Sequence, residues 1–177
     1  PVLHEVGPEP LPGTVKVEHM FPMRSLDKGT NDDDITHFVT QSTFGGTRFL
    51  AQPKLDGSAL SLEYVAGNLH RAATRGSGER GEDVTLNAKQ IANIPLRLNV
   101  AVDCHVRGEV VMPLAVFDEK YRDVSPNPRN LCSGALRQKH GDGKADAADL
   151  VFCAYDVKFV NDAPPATYDS ELLSWLQ

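Results

Sequence analysis

Two β-type runs joined by a very short turn constrain this chain more than any other feature. From Ser58 to Val65 the alternation places Leu60, Leu62 and Tyr64 on one face of an extended strand. Ala66-Gly67-Asn68 is a hairpin turn signal, and Leu69 to Thr74 runs back. A turn this tight joins antiparallel strands; parallel ones need a long crossover. The loop that follows must be judged in that light. Gly76-Ser77-Gly78-Glu79-Arg80-Gly81 satisfies G-x-G-x-x-G, and Asp103 lies further on, where a dinucleotide fold keeps its ribose acid. Yet the preceding strand carries His70 and Arg71, whereas a first parallel strand buried on both faces reads as a nearly continuous apolar run. A dinucleotide oxidoreductase built on this loop is therefore a rival that the hairpin argues against.

Other elements fall around the hairpin. Residues 1–22 are proline-rich and read as an extended arm or linker, with Val15 and Val17 on an edge strand. Residues 23–177 make the domain. Thr30 or Asn31 caps a helix whose first turn is Asp32-Asp33-Asp34 and whose apolar face is Ile35, Phe38 and Val39; the helix dipole accounts for the acids. Arg48 to Gln52 reads as a strand, Val84 to about Ala92 as a helix, Cys104 to Met112 as a strand, and Pro113 to Phe117 as a short helix. Asn127-Pro128 reads as an N-cap with proline at the first helical position of a helix reaching about His140. On that helix Arg129 and Arg137 share a face, about two turns apart. Leu150 to Val157 is an apolar core strand, and Thr167 caps a last helix.

Composition narrows the class. The three cysteines are far apart, implying neither a disulfide frame nor a zinc site, and no metal ligand set stands out. No run reaches the roughly 18 apolar residues of a membrane span. A reduced, cytoplasmic monomer fits. Eighteen Lys and Arg against 24 Asp and Glu give a net charge of −6, so tight nucleic-acid binding needs locally clustered basic residues.

Ala51-Gln52-Pro53-Lys54-Leu55-Asp56-Gly57 is where chemistry is expected. In an extended segment Lys54 and Asp56 point the same way, and Gly57 lets backbone or ligand approach closely. An amine beside a carboxylate suits a nucleophilic lysine held over a polyphosphate. Lys-x-Asp-Gly alone also occurs in ordinary surface turns, so its neighbours matter.

Those neighbours carry a resemblance. His19-Met20-Phe21-Pro22-Met23-Arg24-Ser25-Leu26-Asp27, Lys54-Leu55-Asp56-Gly57, Ala73-Thr74-Arg75-Gly76, Gly81-Glu82-Asp83-Val84-Thr85, Ile94-Pro95-Leu96, Arg107-Gly108-Glu109-Val110, and Asn127-Pro128-Arg129-Asn130 with Gly134-Ala135-Leu136-Arg137-Gln138 fall in order. Together they resemble the adenylation domain of NAD-dependent DNA ligases. The resemblance implies an α+β nucleotidyltransferase core of antiparallel sheets and flanking helices, ATP-grasp-like, incomplete at its C-terminus. It implies that Lys54 attacks the α-phosphorus of NAD, releases nicotinamide mononucleotide and carries AMP destined for the 5′-phosphate of a nick in double-stranded DNA. Magnesium would assist. Chemistry requires Lys54 as the free amine, which nearby cations favour; Asp56 then orients the lysine or touches the metal. Gln52 belongs to the adenine side, Leu55 to the cofactor site, Arg75 and Glu109 to the ribose, and Arg129 and Arg137 to phosphates near the nick. Glu82 matches a family acid, although a helix dipole alone explains a carboxylate there.

The match departs in two places. Gln52 stands where the family carries glutamate, and Ser77 where it usually carries aspartate. The family's nicotinamide-binding domain, OB-fold, zinc finger, helix-hairpin-helix and BRCT regions do not match any stretch. A fragment that holds the adenosine half but does not seal DNA is therefore expected. ATP-using DNA ligases, RNA ligases and capping enzymes share Lys-x-Asp-Gly, and a module that only binds DNA or a partner is the non-enzymatic alternative.

Overall fold

A computed structural model describes residues 15–41, 49–139, 143–161 and 169–176. The hairpin forms as its alternation requires. Strands β2 (Ser58–Val65) and β3 (Asn68–Thr74) pair antiparallel, following a short edge strand β1 (Lys16–Glu18) and helix α1 (Asp32–Gln41). The two loop residues, Ala66 and Gly67, both have positive φ (47° and 76°), as the twist of a two-residue hairpin turn demands. Alanine is strained there, and the Asp103 carboxylate holds its amide at 2.6 Å. Asp103 thus closes a turn.

Strand β4 (Arg80–Glu82) pairs with β1, and short helix α2 (Thr85–Ala88) follows. Strand β5 (Cys104–Val111) adds to β2, and β6 (Val151–Phe159) adds to β5, giving the order β3-β2-β5-β6 with every pair antiparallel. The strand before the G-x-G-x-x-G loop, β3, is an edge strand paired antiparallel with β2, and the loop leads to β4 in the other sheet, so the dinucleotide-fold rival is overturned. Between β5 and β6 lie α3 (Leu114–Val116), continued by a π turn over Phe117–Tyr121, and α4 (Pro128–Arg137); α5 (Asp169–Trp175) closes the described chain. The class is α+β.

The sheet has one apolar and one polar face. Leu60, Leu62 and Tyr64 of β2, Val106 and Val110 of β5, and Phe152 and Val157 of β6 bury against Ala88, Ile91 and Ile94 around α2 and Leu131, Ala135 and Leu136 of α4. Removing this apolar surface from water is the main stabilising term. Helix α4 starts as its sequence dictates: the Asn127 side chain accepts from the Arg129 and Asn130 amides, and Pro128 occupies the first turn.

Four expectations change. Residues 49–52 carry no strand, and none of the described residues pairs with them; Arg48 and Thr167 lie outside the described residues. Helix α2 stops at Ala88, where tight i to i+3 bonds through Ile91 and Ile94 take over. Helix α4 ends at Arg137, its last carbonyls taken by the Asn87 side-chain amide, which donates to Leu136 O (2.8 Å) and Gln138 O (2.9 Å). On α1, Asn31 is the cap, but Ile35, Phe38 and Val39 are exposed. Among the described residues no helix is long and apolar enough to cross a membrane.

Candidate active site

Period-2 alternation puts His105, Arg107 and Glu109 of β5 on the face opposite the core. Register sets their neighbours: Glu109 opposes Ala59 and Cys153, Arg107 opposes Ser61 and Asp156, and His105 opposes Glu63 and Lys158. Charges pair along this face, with Arg71 2.6 Å from Glu63 and Arg107 3.3 Å from Asp156.

Glu109 is the convergence point. Its Oε1 accepts the Gly57 amide at 3.1 Å, tying the end of the Lys54 segment to β5. Burial lifts the Glu109 pKa above its ordinary value; the Gly57 N–H and then the charges of Lys54, Arg129 and Arg75 act the other way. The carboxylate thus feels the charge of three of the sequence-predicted cations. Asp56 is 3.1 Å from Arg129, an exposed pair that brings the start of α4 to the lysine segment. Gln52 and Leu55 are exposed on either side of Lys54. Gly57 is required sterically, since a Cβ there would sit 2.0 Å from the Val110 carbonyl oxygen.

Arg75 leaves the end of β3. Its amide donates to Ala59 O (3.2 Å) and its carbonyl accepts from Gly78 N (2.9 Å). Gly76 (φ 53°) and Gly78 (φ 94°) supply the left-handed conformations that fold the loop back. Ser77, the departure from the family pattern, closes this loop: its hydroxyl oxygen accepts from Arg80 N at 3.2 Å. Arg80 itself pairs with Glu18 at 2.6 Å.

The two α4 arginines have separate partners. Arg129 is exposed and faces Asp56. Arg137 turns inward to Glu82, 3.1 Å away, whose side chain is only 2% exposed. Glu82 lies on β4 ahead of a four-residue helix, so a buried ion pair replaces the helix-dipole reading.

The sequence reading passed over Tyr155. It occupies a bulge in β6, where the register shifts opposite Arg107 and Gly108, and its ring is 41% exposed. Burial first, then the Glu109 carboxylate, raises its phenol pKa, while Arg107 and Arg75 oppose the rise. A partly exposed aromatic whose phenol feels the charges of Glu109 and Arg75 offers a stacking surface for a planar base. The buried residues Phe152 and Val157 hold the signal: an odd separation puts two residues on opposite faces unless a bulge intervenes.

An α+β domain whose exposed lysine segment is tied to a strand-borne carboxylate is the class that fold and site define. The description "NAD-dependent DNA ligase adenylation domain" matches residues 13–177, and the chain belongs to that family. Proteins named DNA ligase are similar to it: one from Nitrobacter winogradskyi at 38% identity over 97% of this chain and 26% of that protein, and one from Halothermothrix orenii at 42% over 86% and 24%. A third, from Rhodopseudomonas palustris, is 40% identical over 97% of this chain and 26% of its own length. The chain thus spans about a quarter of the length of the curated relatives it matches.

Proposed function

We propose that Lys54 is the nucleophile that takes AMP from NAD, in a polypeptide that seals nicked double-stranded DNA. The carrying observation is that Glu109 accepts the Gly57 amide at the end of the Lys54 segment while Arg129 holds Asp56, and the charges of Lys54, Arg129 and Arg75 act on Glu109. In this reading the Lys54 Nζ forms a bond to the α-phosphorus as the bond from that phosphorus to the bridging pyrophosphate oxygen breaks. Nicotinamide mononucleotide leaves with the electron pair, and the amine proton passes to solvent. Glu109 and Arg75 suit the hydroxylated sugar, Tyr155 the adenine face, and Gln52 and Leu55 the adenine edge. The sheet is then the core of a nucleotidyltransferase of the ATP-grasp-like ligase type.

Among the described residues no group of three or more His, Cys, Asp or Glu could hold a metal. Magnesium would be held through Asp56, once released from Arg129, and would supply positive charge at the nucleotide phosphates, as suits an ion that keeps most of its water. Arg129 is the DNA-phosphate candidate; Arg137 acts on DNA only by leaving Glu82, so its first role is to hold α4 against β4.

The test is intact mass after incubation with magnesium and NAD or ATP, beside Lys54→Ala. A gain of one AMP from NAD, absent from the variant, is expected. A gain from ATP alone moves the chain to the ATP-using ligases. No gain but calorimetric binding of AMP restricts it to holding the adenosine half, and neither gain nor binding overturns the reading.

A further inference from the structure

The stretch that follows β1 is built into the site through one imidazole. Residues after β1 cross the polar face of the sheet. His19 N donates to Glu79 O and Met23 N to Gly78 O, both at 2.9 Å. Phe21 meets His105 edge to face at 5.2 Å, and the Arg107 guanidinium, braced by Asp156, donates to Phe21 O at 3.0 Å. Between these anchors the His19 ring reaches the end of β3. Its Nε2 lies 3.0 Å from Thr74 O and 3.3 Å from Arg75 O. Carbonyls only accept, so Nε2 carries the proton and shares it between them. Gly81 makes the approach possible: a Cβ there would lie 2.9 Å from Nε2 and 1.8 Å from Thr74 O. The void left beside the ring, about 10 Å³ and lined in part by Glu63, Arg71 and His105, has room for about one water.

We propose that His19 is a positioning residue for the nucleotide site: it fixes the Thr74–Arg75 carbonyls and so sets the direction in which Arg75 leaves the sheet. The Arg75 peptide unit is otherwise held from the other side, by its amide to β2 and by Gly78. With His19 the residue is gripped from two elements, and its guanidinium charge reaches Glu109 and Tyr155. Burial, together with Arg107 and Arg71, holds the ring's pKa below its ordinary value, which fits a neutral imidazole whose one N–H serves this purpose. The inference rests on the reading that Arg75 meets the nucleotide.

The experiment compares the full chain with His19→Ala and His19→Gln, the latter keeping a donor near Nε2. Two readouts are taken: amide hydrogen exchange at Arg75 and Gly78, and calorimetric affinity for AMP. In His19→Ala the two amides should exchange about tenfold faster and AMP should bind about tenfold more weakly, the scale of one lost hydrogen bond, with His19→Gln recovering most of both. In an Arg75→Ala background the further loss of AMP affinity on His19→Ala should vanish, because both residues act through one group. Unchanged exchange at Arg75 and Gly78 overturns the proposal. So does an equal loss in Ala and Gln variants, which would mean packing alone. Should wild type fail to bind AMP, the functional reading falls, and the exchange rates still decide whether His19 holds the loop.

Discussion

Glu109 and Lys54 meet in one cluster but are supported in opposite ways. Glu109 projects from the middle of β5, paired by register to β2 on one side and β6 on the other, with Val110 beside it in the core. Lys54 sits in an exposed segment, residues 49–56, that carries no regular structure. Among the described residues that segment is tied by the Gly57 amide on Glu109, by the Asp56 carboxylate on Arg129 and by Phe49 against the Phe38 ring. In the proposed reading the side that would recognise a sugar is thus fixed by a sheet, while Lys54, the proposed nucleophile, is placed through contacts that Glu109 and α4 provide. Strand-borne groups lose little entropy on meeting a ligand, and a nucleophile on a tethered segment depends on its tethers.

The largest effect should come from breaking the join itself. A Gly57→Ala side chain would collide with Val110 O at 2.0 Å and with Val111 Cγ1 at 2.9 Å. Neither the carbonyl nor the strand behind it can yield cheaply, so a loss of about 3 kcal/mol is expected, with AMP transfer abolished. Urea unfolding with a midpoint close to that of wild type would show that the lysine segment does not depend on β5.

Helix α4 repeats the contrast within one element. Arg137 compensates Glu82, which is 2% exposed, and is itself 29% exposed. Arg137→Ala should cost about 2 kcal/mol, below the usual range for a fully buried pair because the arginine remains partly wet. The Arg129–Asp56 pair is exposed at both ends, 56% and 76%, so Arg129→Ala should cost no more than about 0.5 kcal/mol. In the proposed reading its effect falls on adenylation or DNA binding instead. Urea melts of the two variants side by side would expose an error in either assignment, equal losses being the result that removes the distinction.

Legibility in the sequence follows the same divide. The β2–β3 hairpin could be read because alternation and Ala66-Gly67 are local signals, and the start of α4 because Asn127-Pro128 is a cap written in two residues. The placement of Lys54, Arg75 and Glu109 in one cluster was legible only through resemblance to a family, since register between β2 and β5 is not encoded in either strand alone. Phe49 and Leu50 have strand-forming side chains, yet a strand exists only with a neighbour, and these residues stay exposed. Tyr155 was absorbed into an apolar run because a bulge is a property of two strands. The Glu82–Arg137 pair joins β4 to α4, far apart in sequence, so the local dipole argument was the one available. His19 was visible only as the first residue of a motif, and what it binds is backbone.

The smallest effect has the most informative sign. Glu109 is held above its ordinary carboxyl pKa by burial, against the pull of Gly57 N–H, Lys54, Arg129 and Arg75. A carboxyl whose folded pKa exceeds its unfolded value binds protons more readily in the folded state, so its contribution is fully present below the unfolded pKa and is lost as pH rises through the folded one. At neutral pH the ionised group therefore weighs against folding. Glu109→Gln, which keeps an oxygen for the Gly57 amide, should be slightly more stable than wild type at pH 7, with the advantage fading as pH falls toward 4.5. Affinity for AMP should meanwhile drop, because an amide is a weaker acceptor for ribose hydroxyls than a carboxylate. Stability and binding moving in opposite directions is what a group retained for ligand contact produces. A variant less stable at pH 7 would mean that the surrounding cations outweigh burial, making Glu109 a structural counter-ion of the lysine segment.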